Sequence, residues 1–205
     1  RIGHLQPVFW EGDWPVSGVS KEQKDIGEPV MRYKKPNGCE ISEPRQPEKA
    51  LDNFNEEELG LQWQWMGNPN DTFFSLTERK GYLRLNSVPT QDILWNCAHV
   101  LTRKITCESF QVTVKMDLSK LADGNKAGIA MFGGGYASLM ISVEGEQTFI
   151  CYVEGTSEKE FMEERILAKE PLFFDHKTTS VSMKSEFKRD GWLCFSVSED
   201  GVHWK

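Results

Sequence analysis

Residues 59–85 read LGLQWQWMGNPNDTFFSLTERKGYLRL, and this stretch decides the fold. Trp63 and Trp65 stand at alternate positions of an extended-looking run, and a turn-rich segment, residues 67–71, follows them. Because alternate side chains of a β-strand point to the same side, Trp63, Trp65 and Leu61 are predicted to share one face. A second short apolar run follows the turn. A β-rich domain is therefore predicted to begin with this stretch.

Strand-like alternation continues through most of the chain that follows. In residues 110–118 and 137–143, apolar side chains alternate with polar ones, which is typical of half-buried antiparallel strands. Residues 147–153 and 160–168 are predicted to pair across a loop, although the second segment also fits a short helix. The pattern predicts about eight strands and almost no helix, as in an antiparallel β-sandwich.

The N-terminal residues differ from the rest. Residues 1–18 contain two apolar runs around the turn Glu11-Gly12-Asp13, and this pattern predicts a hairpin. Because two strands alone bury too little surface to be stable, the hairpin is expected to belong to a larger β-structure upstream. Residues 19–58, rich in proline and charge, are predicted to form an extended linker that packs along a surface. The sandwich would then occupy residues 59–205.

The C-terminus carries a hairpin signal, Glu199-Asp200-Gly201, with four residues after it. A strand of the length predicted before this turn needs a partner of similar length. The natural chain is therefore expected to continue past Lys205, so that the sandwich is truncated at its C-terminal end.

The sequence argues against two partners, nucleic acid and the membrane. The net charge of −7 argues against nucleic acid, because binding phosphates requires a basic face. No apolar run approaches the ~18 residues of a membrane span. Five cysteines without CxxC spacing, and histidines without ligand spacing, do not predict a metal site. The sequence does not decide whether Cys97 and Cys107 form a disulfide bond.

Several segments, in the same order along the chain, resemble parts of family 43 glycoside hydrolases, the β-xylosidases and α-L-arabinofuranosidases. The start of the C-terminal concanavalin A-like sandwich of that family is similar to LGLQWQWMGNP, SLTERKGYLRL and HVLTRKIT, and a hairpin within it is similar to SEDGVHW. The last blade segment of the catalytic β-propeller resembles HLQPVFWEGDWPVSG, and the connector resembles GEPVMRYKKP. The resemblance implies an all-β chain: a terminal propeller hairpin, an extended linker and a concanavalin A-like jelly roll.

The same resemblance implies inverting hydrolysis of xylan- or arabinoxylan-derived oligosaccharides by an Asp base and a Glu acid, with a further Asp that tunes the acid. In the family these carboxylates lie on earlier propeller blades, so no catalytic residue is expected in this sequence. The expected partners are the upstream propeller and a pentose-containing oligosaccharide or polysaccharide. No cofactor is expected, although a structural calcium ion between separated loops stays open.

The remaining functional candidates are aromatic side chains, whose faces suit the C–H faces of sugar rings. The candidate substrate-binding residues are Trp63, Trp65, Phe73, Phe74 and Trp95. Alternatively, Trp63 and Trp65 pack the sandwich against the propeller. Phe73 and Phe74 follow a long polar turn, from which a loop could reach a neighbouring active site. Three hypotheses stay open: a sandwich that braces a hydrolase, a non-catalytic carbohydrate-binding sandwich, and a purely structural lectin-like sandwich.

The carboxylates along the predicted strands and turns have a simpler interpretation. Glu11 and Asp13 flank a turn glycine, which explains their presence. Asp117, Asp123 and the neighbouring pair at residues 163–164 are predicted to be solvated charges on strands or loops.

Overall fold

The computed structural model describes residues 3–20, 26–35, 37–38, 51–89, 93–156, 163–172 and 179–205. The chain divides into two compact units, Arg1–Leu51 and Asp52–Lys205. The second unit thus begins seven residues before the predicted start at Leu59. Within the described ranges the regular elements are thirteen β-strands and two short 3₁₀ turns. No helix in these ranges is long and apolar enough to cross a membrane.

The first unit contains the predicted hairpin, formed by β1 (Val8–Glu11) and β2 (Trp14–Ser17) in antiparallel register. Gly12 closes the turn with a φ of 63°, a conformation that glycine adopts without strain. Part of the predicted linker is held in the same unit. The side-chain amide of Gln6 donates to the carbonyl of Val30 at 3.2 Å and accepts from its N–H at 2.8 Å.

The second unit contains the remaining strands, which are short at first and long afterwards. They are β3 (Trp63–Trp65), β4 (Phe74–Ser75), β5 (Arg84–Leu85), β6 (Leu101–Arg103), β7 (Phe110–Asp117), β8 (Lys126–Phe132), β9 (Tyr136–Glu144), β10 (Gln147–Thr156), β11 (Glu163–Pro171), β12 (Ser180–Phe187) and β13 (Leu193–Ser198). The two 3₁₀ turns are Asp71–Phe73 and Leu94–Asn96.

The strands of this unit form four antiparallel sheets. A four-stranded sheet has the order β11-β10-β9-β8, a three-stranded sheet has the order β13-β12-β7, and β3-β6 and β4-β5 form two-stranded ribbons. This arrangement confirms the predicted all-β, antiparallel fold. The pairing of β10 with β11 also confirms the strand interpretation for residues 163–168, while residues 160–162 of that predicted strand lie outside the described residues.

The main core lies between the two large sheets. Its buried centre consists of Leu139 and Ile141 from β9 and of Val181 and Met183 from β12. A second buried cluster, which includes Met140 and residues of β10, lies on the opposite face of the four-stranded sheet. Both faces of β9 are therefore covered, whereas the alternation predicted one polar, solvated face.

The buried serines of β9 show how polar groups are accommodated on that second face. Ser138 is fully buried, and its hydroxyl donates to the carbonyl of Val153 on β10 at 3.4 Å. Small side chains with a local acceptor allow close packing and avoid an unsatisfied polar group.

The strand predicted over residues 110–118 is confirmed as β7, but its apolar face is only partly covered. Met116 packs against the main core, whereas Val112 and Val114 are exposed. These two valines are exposed because β7 is an outer strand of the three-stranded sheet.

Asp123 is exposed, as predicted for a solvated loop charge, and it also anchors a turn. Its carboxylate accepts from the backbone N–H of Gly145 at 2.7 Å and so joins the two neighbouring turns. The same turns are linked by the N–H of Gly124, which donates to the carbonyl of Val143 at 2.9 Å.

Asp117, at the end of β7, was also predicted to be a solvated charge, and it too has specific partners. It accepts from the N–H of Ser119 at 2.9 Å and pairs with Arg79, whose guanidinium lies 3.8 Å from the centre of the Tyr82 ring. Hydrogen bonds from Ser119, followed by the Arg79 guanidinium, lower the pKa of Asp117 to about 2. Asp117 therefore ties the segment before β5 to the three-stranded sheet.

Acidification is expected to weaken this link. Because the pKa of Asp117 in the folded chain lies below its ordinary value of 3.8, the contribution of Asp117 to stability is present above about pH 4 and is lost as pH falls towards 2. Asp117→Asn should therefore show a weaker loss of stability between pH 4 and pH 2 in urea unfolding. Asp190→Asn, which alters a carboxylate that accepts from the N–H of Trp192, is the control and should follow the unmodified chain. An unchanged pH dependence in Asp117→Asn would contradict this assignment.

Candidate functional site

Trp63 is held by hydrogen bonds and by packing within its own unit. Its indole N–H donates to the carboxylate of Asp52 at 2.7 Å, and the side chain of Gln62 donates to the same oxygen at 2.9 Å. The other oxygen of Asp52 accepts from the N–H of Phe54 at 3.0 Å. The Phe54 ring lies against the indole with 5.7 Å between ring centroids. Trp63 is thus a half-buried anchor for the segment that precedes β3.

Trp65 lies in an aromatic cluster, here called the Trp65 cluster, which consists of Trp65, Phe73, Phe74 and His99. The Trp65 ring centroid is 5.7 Å from that of Phe73 and 5.4 Å from that of Phe74. His99 packs edge-on against Phe73 at 5.9 Å. Phe73 and Phe74, which were candidates for an outward-reaching loop, are therefore engaged with Trp65.

A capped 3₁₀ turn helps to fix the positions of Phe73 and Phe74. Asn70 caps the 3₁₀ turn Asp71–Phe73 by accepting from the N–H of Thr72 at 2.9 Å. Leu61, predicted to share the tryptophan face, is fully exposed, and that prediction is wrong. It lies in a turn closed by the Trp63 N–H and the Gly60 carbonyl, and β3 begins only at Trp63.

Trp95 differs from the other four aromatic candidates because 36% of it remains exposed. It stands on the 3₁₀ turn Leu94–Asn96, and its ring is tilted by 41° against Phe132 at 5.9 Å. Phe132 in turn packs on Tyr136 at 5.3 Å. One side of the indole therefore has aromatic support, while the rest of it reaches solvent.

Glu164 was predicted to be a solvated charge, and the structure corrects this. It is half-buried on β11, where its Oε2 accepts from the hydroxyl of Tyr136 and from the N–H of Leu94. Burial raises the pKa of Tyr136, and the hydrogen bond to Glu164 raises it further, so this tyrosine stays protonated and donates. The carboxylate thus links β9, β11 and the turn that carries Trp95.

The contact between Tyr136 and Glu164 depends on a glycine. Gly155 of β10 lies opposite Glu164, and a Cβ at this position would be 2.1 Å from the Tyr136 ring. Only a residue without a side chain lets the ring lie across β10. In the sequence, Glu164 is one of several acidic residues of β11, and nothing there singles it out. Its role depends on the register between β10 and β11, which sequence reasoning missed.

The remaining candidate groups are possible metal ligands, cysteines and acidic side chains. Among the described residues, no group of three or more His, Cys, Asp or Glu side chains is placed to hold a metal ion. Cys107 is an exposed free thiol, so the Cys97–Cys107 bridge that was left open is not formed. The depression at residues 55–58 is open and lined by Asn55 and three glutamates. The three glutamates, Glu56–Glu58, are exposed.

Comparison with known proteins relates this architecture to characterised relatives. A beta-xylosidase from Formosa agariphila is 33% identical over 178 residues, which cover 76% of this chain and 29% of the relative. A non-reducing end alpha-L-arabinofuranosidase from Bacteroides ovatus is 30% identical over 134 residues, which cover 64% of this chain and 23% of the relative. The chain thus spans less than a third of the length of these two curated relatives.

Solved structures show the same fold. The crystal structure of a GH43 protein from Bacillus licheniformis superposes with a TM-score of 0.70 at 27% identity, over 98% of this chain and 36% of that protein. A xylan beta-1,4-xylosidase from Bacillus halodurans superposes with a TM-score of 0.73 over 98% of this chain and 37% of that protein, and at 18% identity it supports the fold alone.

A family model matches the whole of the second unit. The model described as "Beta xylosidase C-terminal Concanavalin A-like domain" matches residues 51–205. That range begins one residue before the compact unit Asp52–Lys205. Together with the antiparallel sheets, it identifies the chain as a member of the β-xylosidase C-terminal concanavalin A-like domain family and confirms the resemblance to family 43 glycoside hydrolases.

Proposed function

We propose that this chain is the C-terminal part of a family 43 glycoside hydrolase that cleaves xylan- or arabinoxylan-derived oligosaccharides with inversion. Its sandwich would brace the catalytic propeller and shape the rim of the substrate pocket. The observation that carries the proposal is the match to the family's C-terminal domain over residues 51–205 in a chain that spans only 29% of a β-xylosidase relative. The reacting carboxylates would then lie in the part of the enzyme outside this sequence.

The roles of the carboxylates in the second unit support bracing over catalysis. Asp52, Asp117, Asp123 and Asp200 each accept backbone or side-chain hydrogen bonds that close a turn or join two segments. A catalytic acid and base must instead face a substrate-sized space and the attacking water. These aspartates are therefore interpreted as structural.

The N-terminal hairpin supports the proposed propeller contact. Its register places Trp10 and Pro15 on one face and Phe9 and Trp14 on the other. Trp10 is 70% exposed and Trp14 is 73% exposed, so both faces present large apolar rings to solvent. Strands that are apolar on both faces are typical of sheets covered on both sides, as in the stacked blades of a propeller. We infer that residues 1–18 are the last strands of such a propeller.

A chimera tests the bracing role. This chain would replace the matching region of the Formosa agariphila β-xylosidase, and the chimera should hydrolyse a nitrophenyl xyloside. The same enzyme without that region should lose activity and unfold at a lower temperature, because the hairpin and sandwich surfaces would be missing. Full activity and unchanged thermal stability of the shortened enzyme would contradict a bracing role.

Paired variants of the chimera locate the contact. Trp10→Asp places a charge on the exposed apolar face of the hairpin and should reduce both activity and thermal stability. Leu61→Asp changes a fully exposed leucine in the turn before β3 and serves as the control, with little expected effect. Equal behaviour of the two variants would contradict the assignment of the hairpin to the propeller.

A second candidate function is a non-catalytic carbohydrate-binding sandwich. The observation that favours it is the exposure of Trp95, since the other four aromatic candidates are more buried and pack within the second unit. An exposed indole on a supported turn is a suitable surface for the apolar face of a sugar ring.

A further inference from the structure

The carboxylate of Glu164 has one oxygen committed to the fold and one available. Oε2 accepts both hydrogen bonds, from Tyr136 and from Leu94, whereas Oε1 accepts none from the part of the chain that the structure describes. Within the described residues Oε1 is not a buried oxygen without a partner, so it reaches solvent. Within the same part of the chain no Lys, Arg or His pairs with Glu164, and the adjacent Arg165 pairs with Glu163. Glu164 therefore presents a carboxylate oxygen that no cation of the described residues pairs with.

This acceptor is held in a fixed orientation. Tyr136 is buried, its ring is placed over Gly155, and its hydroxyl fixes Oε2. The second donor, the N–H of Leu94, belongs to the 3₁₀ turn that carries the indole. A group that is already ordered loses little conformational entropy when a ligand binds to it.

Trp95 adds an apolar surface on the same turn whose Leu94 N–H binds this carboxylate. It follows Leu94 directly in the chain, and Phe132 supports its ring from one side. A partly exposed indole and a carboxylate acceptor together match a ligand with an apolar ring face and hydroxyl donors. A phosphate or carboxylate ligand does not fit, because Glu164 would repel its negative charge.

We propose that Trp95 and Glu164 form a binding site for a neutral, hydroxyl-rich ligand of the xylo-oligosaccharide class. The indole stacks on a sugar ring, and Oε1 of Glu164 accepts a hydrogen bond from a ring hydroxyl. The inference rests on the second candidate function and gives it a location and a ligand chemistry. It is independent of the bracing role, which the chimera tests through hydrolysis and thermal stability.

The test is titration of the full 205-residue chain with xylotetraose by calorimetry and by NMR of the indole N–H groups. Glu164→Gln should weaken binding by about tenfold, as expected for the loss of a hydrogen bond to a charged group. In that variant the amide oxygen must face Tyr136 and Leu94, which leaves an amide N–H₂ where the ligand needs an acceptor. Trp95→Ala should weaken binding at least as much. Trp192→Ala removes another exposed indole and should leave the affinity unchanged.

Each alternative outcome overturns the proposal. No saturable binding at tens of millimolar xylotetraose would do so, as would equal affinities for Glu164→Gln and the unmodified chain. Binding that EDTA abolishes would assign Oε1 to a metal ion and not to a hydroxyl. If Trp95→Ala does not fold, Glu164→Gln decides the matter, together with the requirement that the Trp95 indole signal shift on titration.

Discussion

Ile141→Ala is expected to lower the free energy of unfolding of this chain by about 2–5 kcal/mol, because a buried isoleucine loses both apolar burial and close packing. Ile141 is 0% exposed and lies in the main core, between the four-stranded and three-stranded sheets. Urea unfolding, followed by tryptophan fluorescence, measures the change. The size of the loss within this range depends on how far the neighbouring side chains of β9 and β12 fill the space.

The control for this variant has the same chemistry at an exposed position. Ile166, on the outer strand β11, is 54% exposed, so Ile166→Ala should change the free energy of unfolding by less than about 1 kcal/mol. Similar losses for the two variants would show that the main core does not lie between these sheets.

Trp65→Ala is expected to cost about 3 kcal/mol of unfolding free energy, near the lower end for buried aromatic residues because Trp65 is only half-buried. The substitution removes the ring on which Phe73 and Phe74 pack. It should not change the affinity for xylotetraose measured with the folded variant. Thermal unfolding and the same calorimetric titration separate the two effects.

The outcome of the Trp65 experiment decides between core packing and sugar stacking. Trp192→Ala is the control, since Trp192 is exposed with Lys188 4.3 Å from its ring centre, and its loss should change stability little. A stable Trp65→Ala variant with weakened sugar binding would reverse the assignment and make the Trp65 cluster a ligand platform.

The fold was largely predictable because strand periodicity is a local property. The alternation over residues 110–118 and 137–143 corresponds to β7 and β9, and the hairpin of residues 1–18 corresponds to β1 and β2. Which face of a strand is buried, in contrast, is not a local property. The polar face of β9 is buried, and Val112 is exposed, because burial depends on the neighbouring sheet and on whether a strand is at an edge.

The candidate site was less predictable for the same reason. All five aromatic candidates could be named from the sequence, but partners distant in the chain decide their roles, as Asp52 does for Trp63. Glu164 was missed as a candidate because its importance comes from the register that sets it opposite Gly155 and from contacts with Tyr136 and Leu94. A single sequence does not reveal such contacts between distant segments.

The family assignment agrees with the proposal that this chain carries sugar-compatible aromatic residues while the catalytic carboxylates lie elsewhere in the enzyme. The family resemblance arose from several short segments in a fixed order, and the domain match over residues 51–205 confirms it. Asp52, Asp117, Asp123 and Asp200 close turns or join segments, whereas Glu164 binds the turn that carries the exposed indole of Trp95.

The most direct measurement is hydrolysis of nitrophenyl β-xyloside and nitrophenyl α-L-arabinofuranoside by the purified 205-residue chain. We expect no release of nitrophenol above the buffer rate, because the proposed function places the acid and base of the enzyme outside this sequence. Release that scales with the concentration of this chain, and that disappears when one of its own carboxylates is replaced, would contradict the account.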